Sequence, residues 1–246
     1  MTEFVLTLLP GLDGSGVMFR PLLGHLPSEL KPNVITYPKD EILGYAELLP
    51  RVLTALPSPS PFILLGESFS GPLALMAAAT RPQGLQGVIL CASFIRNPIW
   101  PRLPFLRYLA NPLAFRFYPL ASRLKSILGG YSSPEWLALK TEALSDIRPA
   151  VIARRVREVL KVNVLRELKS CPVPILYLRG DRDRLVPSHN LREIVAARPE
   201  TKVVHLPSPH LVLQTQPALA SKAISGFIRE LAFELNPATG KESPPQ

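Results

Sequence analysis

The stretch Phe62-Ile63-Leu64-Leu65-Gly66-Glu67-Ser68-Phe69-Ser70-Gly71-Pro72-Leu73-Ala74-Leu75-Met76-Ala77-Ala78-Ala79-Thr80 decides how the rest of the chain is read. Its first four residues are apolar without a break, as in a strand buried on both faces, and an alanine-rich helical pattern runs from Gly71 to Thr80. Between them, Gly66-Glu67-Ser68-Phe69-Ser70-Gly71 sets a serine among small residues on a sharp strand-to-helix turn. Small neighbours are needed because such a turn strains the serine's backbone and leaves no room for side chains between strand and helix. Ser68 would then sit at a helix N-terminus, where the helix dipole favours developing negative charge. The plainer alternative is that Ser68 only caps a helix.

Outward from this stretch, short apolar runs alternate with helical patterns. The other runs are Phe4–Leu9, Val34–Tyr37, Gly87–Ala92, Val173–Leu178 and Lys202–Leu206. Helical patterns cover Met18–Leu26, Tyr45–Leu56, Asn190–Ala197 and Pro217–Glu234. Alternation of this kind predicts an α/β fold, a mostly parallel sheet of about six strands flanked by helices. One connection is too long. About eighty residues separate the fourth run from the fifth, where a crossover needs about a dozen.

The excess is unusual in composition. The chain has 246 residues and a net charge of +9; the segment from Arg96 to Lys169 holds 14 basic and 5 acidic residues, so the remainder is neutral. The segment opens with Pro98, Pro101, Pro104, Pro112 and Pro119, which forbid long straight helices, and turns helical over Pro134–Leu144 and Pro149–Leu168. It also holds Trp100, Phe105, Tyr108, Phe115, Phe117, Tyr118, Tyr131 and Trp136. Residues 96–169 are therefore expected to form a helical cap (lid) over an apolar pocket, inserted into a core of residues 1–95 and 170–236; the alternative is a satellite core packed for its own stability. Residues 237–246 read as a disordered tail. A hydrophobic fraction of 47% excludes general disorder, and two cysteines exclude a disulfide scaffold. No apolar run approaches a membrane span, and the first residues do not read as a secretory signal, so a cytoplasmic protein is expected.

A serine hydroxyl is a poor nucleophile near neutral pH without a base. Of the four histidines, only His210 lies in a loop, Pro207-Ser208-Pro209-His210, beyond the carboxyl end of a predicted strand, the edge at which Ser68 also stands. His25, His189 and His205 read as surface or packing residues. An acid is needed to fix the imidazole tautomer, and Gly180-Asp181-Arg182-Asp183 supplies two candidates after the fifth run, Asp181 being expected to hydrogen-bond within its own turn. An oxyanion hole needs two backbone N–H donors. Phe69, following the serine, supplies one, and the glycine-bearing loop Pro10-Gly11-Leu12-Asp13-Gly14-Ser15-Gly16 supplies Leu12. The glycine spacing of that loop misses the nucleotide-binding patterns, Cys91 and Cys171 are isolated, and no histidine pair has ligand spacing; no cofactor and no metal are expected.

These motifs together resemble the α/β-hydrolase superfamily over nearly the whole chain: Leu9-Pro10-Gly11-Leu12-Asp13-Gly14, Gly66-Glu67-Ser68-Phe69-Ser70-Gly71, Gly180-Asp181-Arg182-Asp183-Arg184-Leu185-Val186-Pro187 and Pro209-His210-Leu211. The resemblance selects Asp183 as the acid, giving Ser68, Asp183 and His210 as the implied catalytic residues and Leu12 and Phe69 as the implied oxyanion donors. The chain is most similar to small lidded carboxylesterases, including the pimeloyl-[acyl-carrier protein] methyl ester esterases. That similarity implies that Trp136 and Leu139 line an acyl pocket and that Arg148 contacts an acyl carrier protein. Several positions depart from the pattern. Pro10 replaces a histidine, Pro209 a glycine and Ser70 a glycine, Glu67 brings a carboxyl beside the serine, and the two antiparallel strands that usually open the fold have no counterpart.

The expected activity is hydrolysis of a carboxylic ester with an apolar acyl group. An ester or thioester on an acidic acyl carrier protein is the alternative substrate, motivated by Arg148, Arg154, Arg155, Arg157 and Lys161. A non-catalytic hydrolase-fold binding protein is the alternative of another class. Nucleic-acid binding would rest on charge alone and is not expected.

Overall fold

The computed structural model describes residues 4–99, 102, 110–117 and 133–235. The expected tail, and Trp100, Phe105, Tyr108, Tyr118 and Tyr131 of the expected apolar wall, lie outside these residues. Among the described residues, six strands form one sheet in the order β2-β1-β3-β4-β5-β6, every pair parallel. The strands are β1 (Val5–Leu9), β2 (Lys31–Val34), β3 (Phe62–Glu67), β4 (Leu85–Cys91), β5 (Ile175–Gly180) and β6 (Lys202–Leu206).

Side chains alternate across a strand, and both faces here are covered by helices. Leu64, Leu90 and Tyr177 point to one face, beneath α2 (Tyr45–Ala55) and α3 (Ser70–Ala79). Ile63, Leu65, Ile89 and Leu178 point to the other and meet α1 (Arg20–Leu23) and α10 (Pro217–Leu235). Each fully buried leucine or isoleucine contributes about 1.5–3 kcal/mol of transfer free energy. Every residue of β3 and β5 is buried, which fixes the level at which the loops after these strands leave the sheet.

Between β4 and β5 the chain forms α4 (Pro112–Phe115), α5 (Pro134–Leu144), α6 (Pro149–Lys161) and α7 (Leu165–Ser170). Among the described residues, the remaining helices are α8 (Ser188–Ala197) and α9 (Val212–Thr215). Helix α5 packs on the turn Val17–Phe19, and Arg20 pairs with Glu142 at 2.6 Å.

Two expectations about elements need correction. The second strand is Lys31–Val34, not Val34–Tyr37: Ile35 and Tyr37 are apolar because they pack in the core beyond the strand's end. The pattern Pro149–Leu168 is two helices. It breaks where Arg96 and Asn163 form an antiparallel bridge and Val164 N–H donates to the Ile95 carbonyl at 2.8 Å.

Candidate active site

Ser68 occupies the turn between β3 and α3 with φ of 49°, in the left-handed region that L-residues avoid at a cost of about 1–3 kcal/mol. The surroundings hold it there. Ser68 N–H donates to the Cys91 carbonyl at 2.9 Å, and its carbonyl accepts from Gly71 N–H at 3.2 Å and Ser93 Oγ at 2.7 Å. A β-carbon at Gly66 would stand 2.5 Å from the Ser70 carbonyl oxygen, and one at Gly71 would collide with Ser93 Oγ. Both glycines are therefore required by close approach.

Ser70, at the position where glycine is usual, has a task of its own. Its hydroxyl donates to the Pro10 carbonyl and so must accept from Tyr37, whose hydroxyl lies 2.7 Å away. Burial pushes the Tyr37 hydroxyl well above its ordinary pKa, which keeps this donor protonated. Thus the turn bearing Ser68 is tied to the loop after β1. In that loop Gly14 N–H donates to the Gly11 carbonyl at 3.1 Å, and Gly14 and Gly16 have φ of 71° and 74°. Phe69 is fixed by a stacked Tyr45 ring at 4.7 Å and by the Tyr45 hydroxyl donating to its carbonyl at 2.7 Å. Among the described residues, neither Leu12 N–H nor Phe69 N–H donates to another backbone group.

His210 arrives from the loop after β6, which passes over Gly180, where a β-carbon would strike the Pro209 carbonyl. Its Nε2 lies 2.9 Å from Ser68 Oγ and its Nδ1 2.9 Å from Asp183 Oδ2. The other oxygen of Asp183 accepts from Leu185 N–H at 2.8 Å and Val186 N–H at 2.9 Å. Burial alone would raise the Asp183 carboxyl, but the His210 contact and these two N–H groups outweigh it and hold the carboxyl below its ordinary pKa. Asp183 is therefore ionised near neutral pH and acceptor-only. It follows that Nδ1 carries the imidazole proton and Nε2 presents a lone pair to Ser68. Asp181 does not bond within its turn as expected: it pairs with the exposed His205 at 2.8 Å, away from Ser68.

Glu67 is buried and accepts from Gln214 Nε2 at 2.8 Å, fastening β3 to α9, just beyond His210. Burial pushes its pKa up to about 7, against the opposing Gln214 hydrogen bond and with help from Asp13, so near neutral pH it is close to half protonated. The folded state thus holds a proton that the unfolded chain, with a carboxyl near 4.5, has released, and stability falls as pH rises between these values. Glu67→Gln should remove this slope. In urea titrations the variant is expected to be more stable than wild type by up to about 3 kcal/mol at about pH 8 and nearly equal at about pH 4.5. Equal or lower stability at the higher pH would show that the buried carboxyl is tolerated in its charged form.

Trp136 and Leu139 lie half-buried on α5, the helix that packs on Val17–Phe19. Arg148 is exposed before α6; its N–H donates to the Lys39 carbonyl at 3.0 Å and its Nη1 to the Asp40 carbonyl at 3.1 Å. The basic cluster named with it is largely engaged by the protein's own groups. Arg155 is 1% exposed, and Arg154 and Lys161 pair with Glu158 at 3.3 and 2.8 Å. Arg157 Nε donates to the Ala110 carbonyl at 2.7 Å. Sequence reasoning missed the supporting parts played by Tyr37, Tyr45 and Arg155. For Arg155 a signal existed: with Val151 and Glu158 it recurs at helical spacing on the buried face of α6.

A parallel sheet of this order, with a serine on the turn after β3 and an acid and a histidine after β5 and β6, defines a hydrolase of the α/β class. The model of the Alpha/beta hydrolase family matches residues 6–222, and the chain belongs to that family. A pimeloyl-[acyl-carrier protein] methyl ester esterase of Xanthomonas campestris pv. campestris (strain B100) is 26% identical over 216 residues, 81% of this chain and 84% of that protein. Among solved structures, the enol-lactonase from Burkholderia xenovorans LB400 superposes with a TM-score of 0.76 at 16% identity, covering 93% of this chain and 92% of that one. MenH from S. aureus gives 0.75 at 18% identity, covering 94% and 96%. Among the described residues no helix is long and apolar enough to cross a membrane.

Proposed function

We propose that this hydrolase cleaves a carboxylic ester through an acyl-enzyme on Ser68. The observation that carries this reading is the hydrogen-bonded line Ser68 Oγ, His210 Nε2, His210 Nδ1, Asp183 Oδ2, with 2.9 Å at each contact. His210 Nε2 takes the Ser68 proton as Oγ attacks the ester carbonyl carbon, and Asp183 stabilises the imidazolium that forms. The oxyanion of the tetrahedral intermediate is received by Leu12 N–H and Phe69 N–H, the latter opening α3. Collapse breaks the bond to the alcohol, which leaves with the proton from His210. Water, losing a proton to the same nitrogen, then attacks the acyl carbon; the bond to Ser68 Oγ breaks, His210 returns the proton to Oγ, and the acid is released. Residues 96–169 serve as a lid, with Trp136 and Leu139 facing an apolar acyl group.

Hydrolysis of p-nitrophenyl esters from acetate to laurate tests this reading, with Ser68→Ala as the control. Turnover that disappears in the variant is the expected result, and the chain-length optimum sizes the acyl pocket.

A carrier-linked substrate is the second reading, supported by similarity to the Xanthomonas pimeloyl-[acyl-carrier protein] methyl ester esterase over most of its length. Arg148 and Arg157 donate to carbonyls, which do not cancel their charge, and of the two only Arg148 is exposed, whereas Arg154 and Lys161 are paired with Glu47 and Glu158. Docking of an acidic carrier therefore falls to Arg148 rather than to the cluster as a whole. On a carrier-linked ester, kcat/KM is expected to fall about tenfold between about 0.02 and 0.2 M salt, and Arg148→Ala to flatten that dependence. A rate indifferent to ionic strength would leave the free ester as the substrate.

A further inference from the structure

Among the described residues, the most deeply buried cation of the insert points at the loop after β1. Arg155 Nη1 donates to the Leu12 carbonyl and the Asp13 carbonyl, both at 2.9 Å, and Nη2 donates to the Pro38 carbonyl at 2.8 Å. Its guanidinium carbon lies 5.6 Å from the centre of the Tyr37 ring. Three carbonyl dipoles and a ring face thus compensate a buried charge whose desolvation is unfavourable by several kcal/mol. Such an arrangement holds only if the carbonyls stay where they are.

Two of those carbonyls, of Leu12 and Asp13, directly follow the N–H that would receive the oxyanion. A trans peptide sets C=O and N–H in opposite directions. With the Gly11 carbonyl turned toward Gly14 N–H, the N–H of Leu12 is directed the other way. The two following carbonyls, of Leu12 and Asp13, are then pinned by Arg155. Without that fork the loop would rely on its glycines, the residues with most backbone freedom to lose. The fit is mutual: a β-carbon at Gly14 would stand 2.5 Å from Arg155 Nη1.

We infer that Arg155 is a positioning residue for the oxyanion site: from helix α6 of the insert it holds Leu12 N–H in place, so the insert is part of the apparatus that stabilises the tetrahedral intermediate as well as a cover over the substrate. This inference rests on the acyl-transfer reading of Ser68. Arg155→Lys keeps the charge and loses the planar fork, and Arg155→Ala loses both.

The test compares these variants with wild type on p-nitrophenyl esters and in the rate at which a fluorophosphonate labels Ser68. Arg154→Ala serves as the control for the helix. Arg155→Ala is expected to lower kcat and the labelling rate about 10²–10³-fold with KM changed less than about threefold, and Arg155→Lys to lie between. Added guanidinium should restore part of kcat in Arg155→Ala and leave wild type unaffected. Wild-type kcat in a folded Arg155→Ala, or a loss that guanidinium does not relieve and KM shares equally, would overturn the inference. If Arg155→Ala does not fold, full kcat in folded Arg155→Lys overturns it, and a loss of about tenfold or more at constant KM supports it. Wild-type protein that neither turns over any ester nor labels at Ser68 would instead remove the acyl-transfer reading and this inference with it. Labelling of wild type and of the Arg155 variants at equal rates would remove the inference alone.

Discussion

Ser68→Ala is expected to lower ester turnover by about 10⁴–10⁶-fold while the protein stays folded and its KM, where measurable, stays close to that of wild type. Only the hydroxyl group is removed, and among the described residues it makes one hydrogen bond, to His210 Nε2 at 2.9 Å. The backbone of the turn keeps its bonds to Cys91, Gly71 and Ser93, so the elbow survives the change. A left-handed φ of 49° disfavours alanine and serine alike, and thermal unfolding should shift by no more than a few degrees. Residual turnover would come from oriented N–H groups acting on water. A variant that kept most of its rate would put the nucleophile elsewhere.

Asp183→Asn is expected to lower kcat about 10³–10⁴-fold for a different reason. An asparagine fits the same space, and its carbonyl oxygen can still accept from Leu185 N–H and Val186 N–H, where Asp183 Oδ1 accepts now. Its amide group then faces His210 Nδ1, where Oδ2 now sits at 2.9 Å. An NH₂ donor there selects the tautomer with its proton on Nε2, and the lone pair that should receive the Ser68 proton is gone. In wild type, Asp183 has its carboxyl held below its ordinary pKa, so the stability it contributes is present at neutral pH and is lost as pH falls through that lowered value. Urea midpoints of wild type and variant should therefore converge toward acid pH. Activity of the variant should recover partly at alkaline pH, where hydroxide substitutes for the missing base. A loss of less than about tenfold would mean that the imidazole is oriented without its carboxylate.

Much of this was legible in the sequence, and the reason lies in close packing. Gly66, Gly71 and Gly180 stand where another residue's β-carbon would collide, so the sheet edge carries its own signature in residue size. Ser68 and His210 each follow a strand pattern, and the all-parallel sheet brings the ends of those strands together. Local patterning alone did not separate Asp181 from Asp183, and family resemblance made that choice; the physical distinction is which carboxyl meets His210 Nδ1 in the fold. The run Val34–Tyr37 misled because apolar residues covering a loop look like apolar residues in a strand. Arg155 misled for the opposite reason. A charge count treats every arginine as surface, whereas this one occupies the buried stripe of its helix.

The parallel sheet has one further consequence, for self-association. Its two outer strands are β2 and β6, and a free strand edge is a template on which another chain can add. Strand β2 is four residues long and carries Pro32, which has no N–H to offer, beside an exposed Lys31. At the far edge, β6 begins with Lys202, whose ammonium pairs with Glu230 of α10, and carries the exposed His205. Both margins are thus blunted by a proline or by charge, so that a concentrated solution of this protein is guarded against strand-by-strand aggregation.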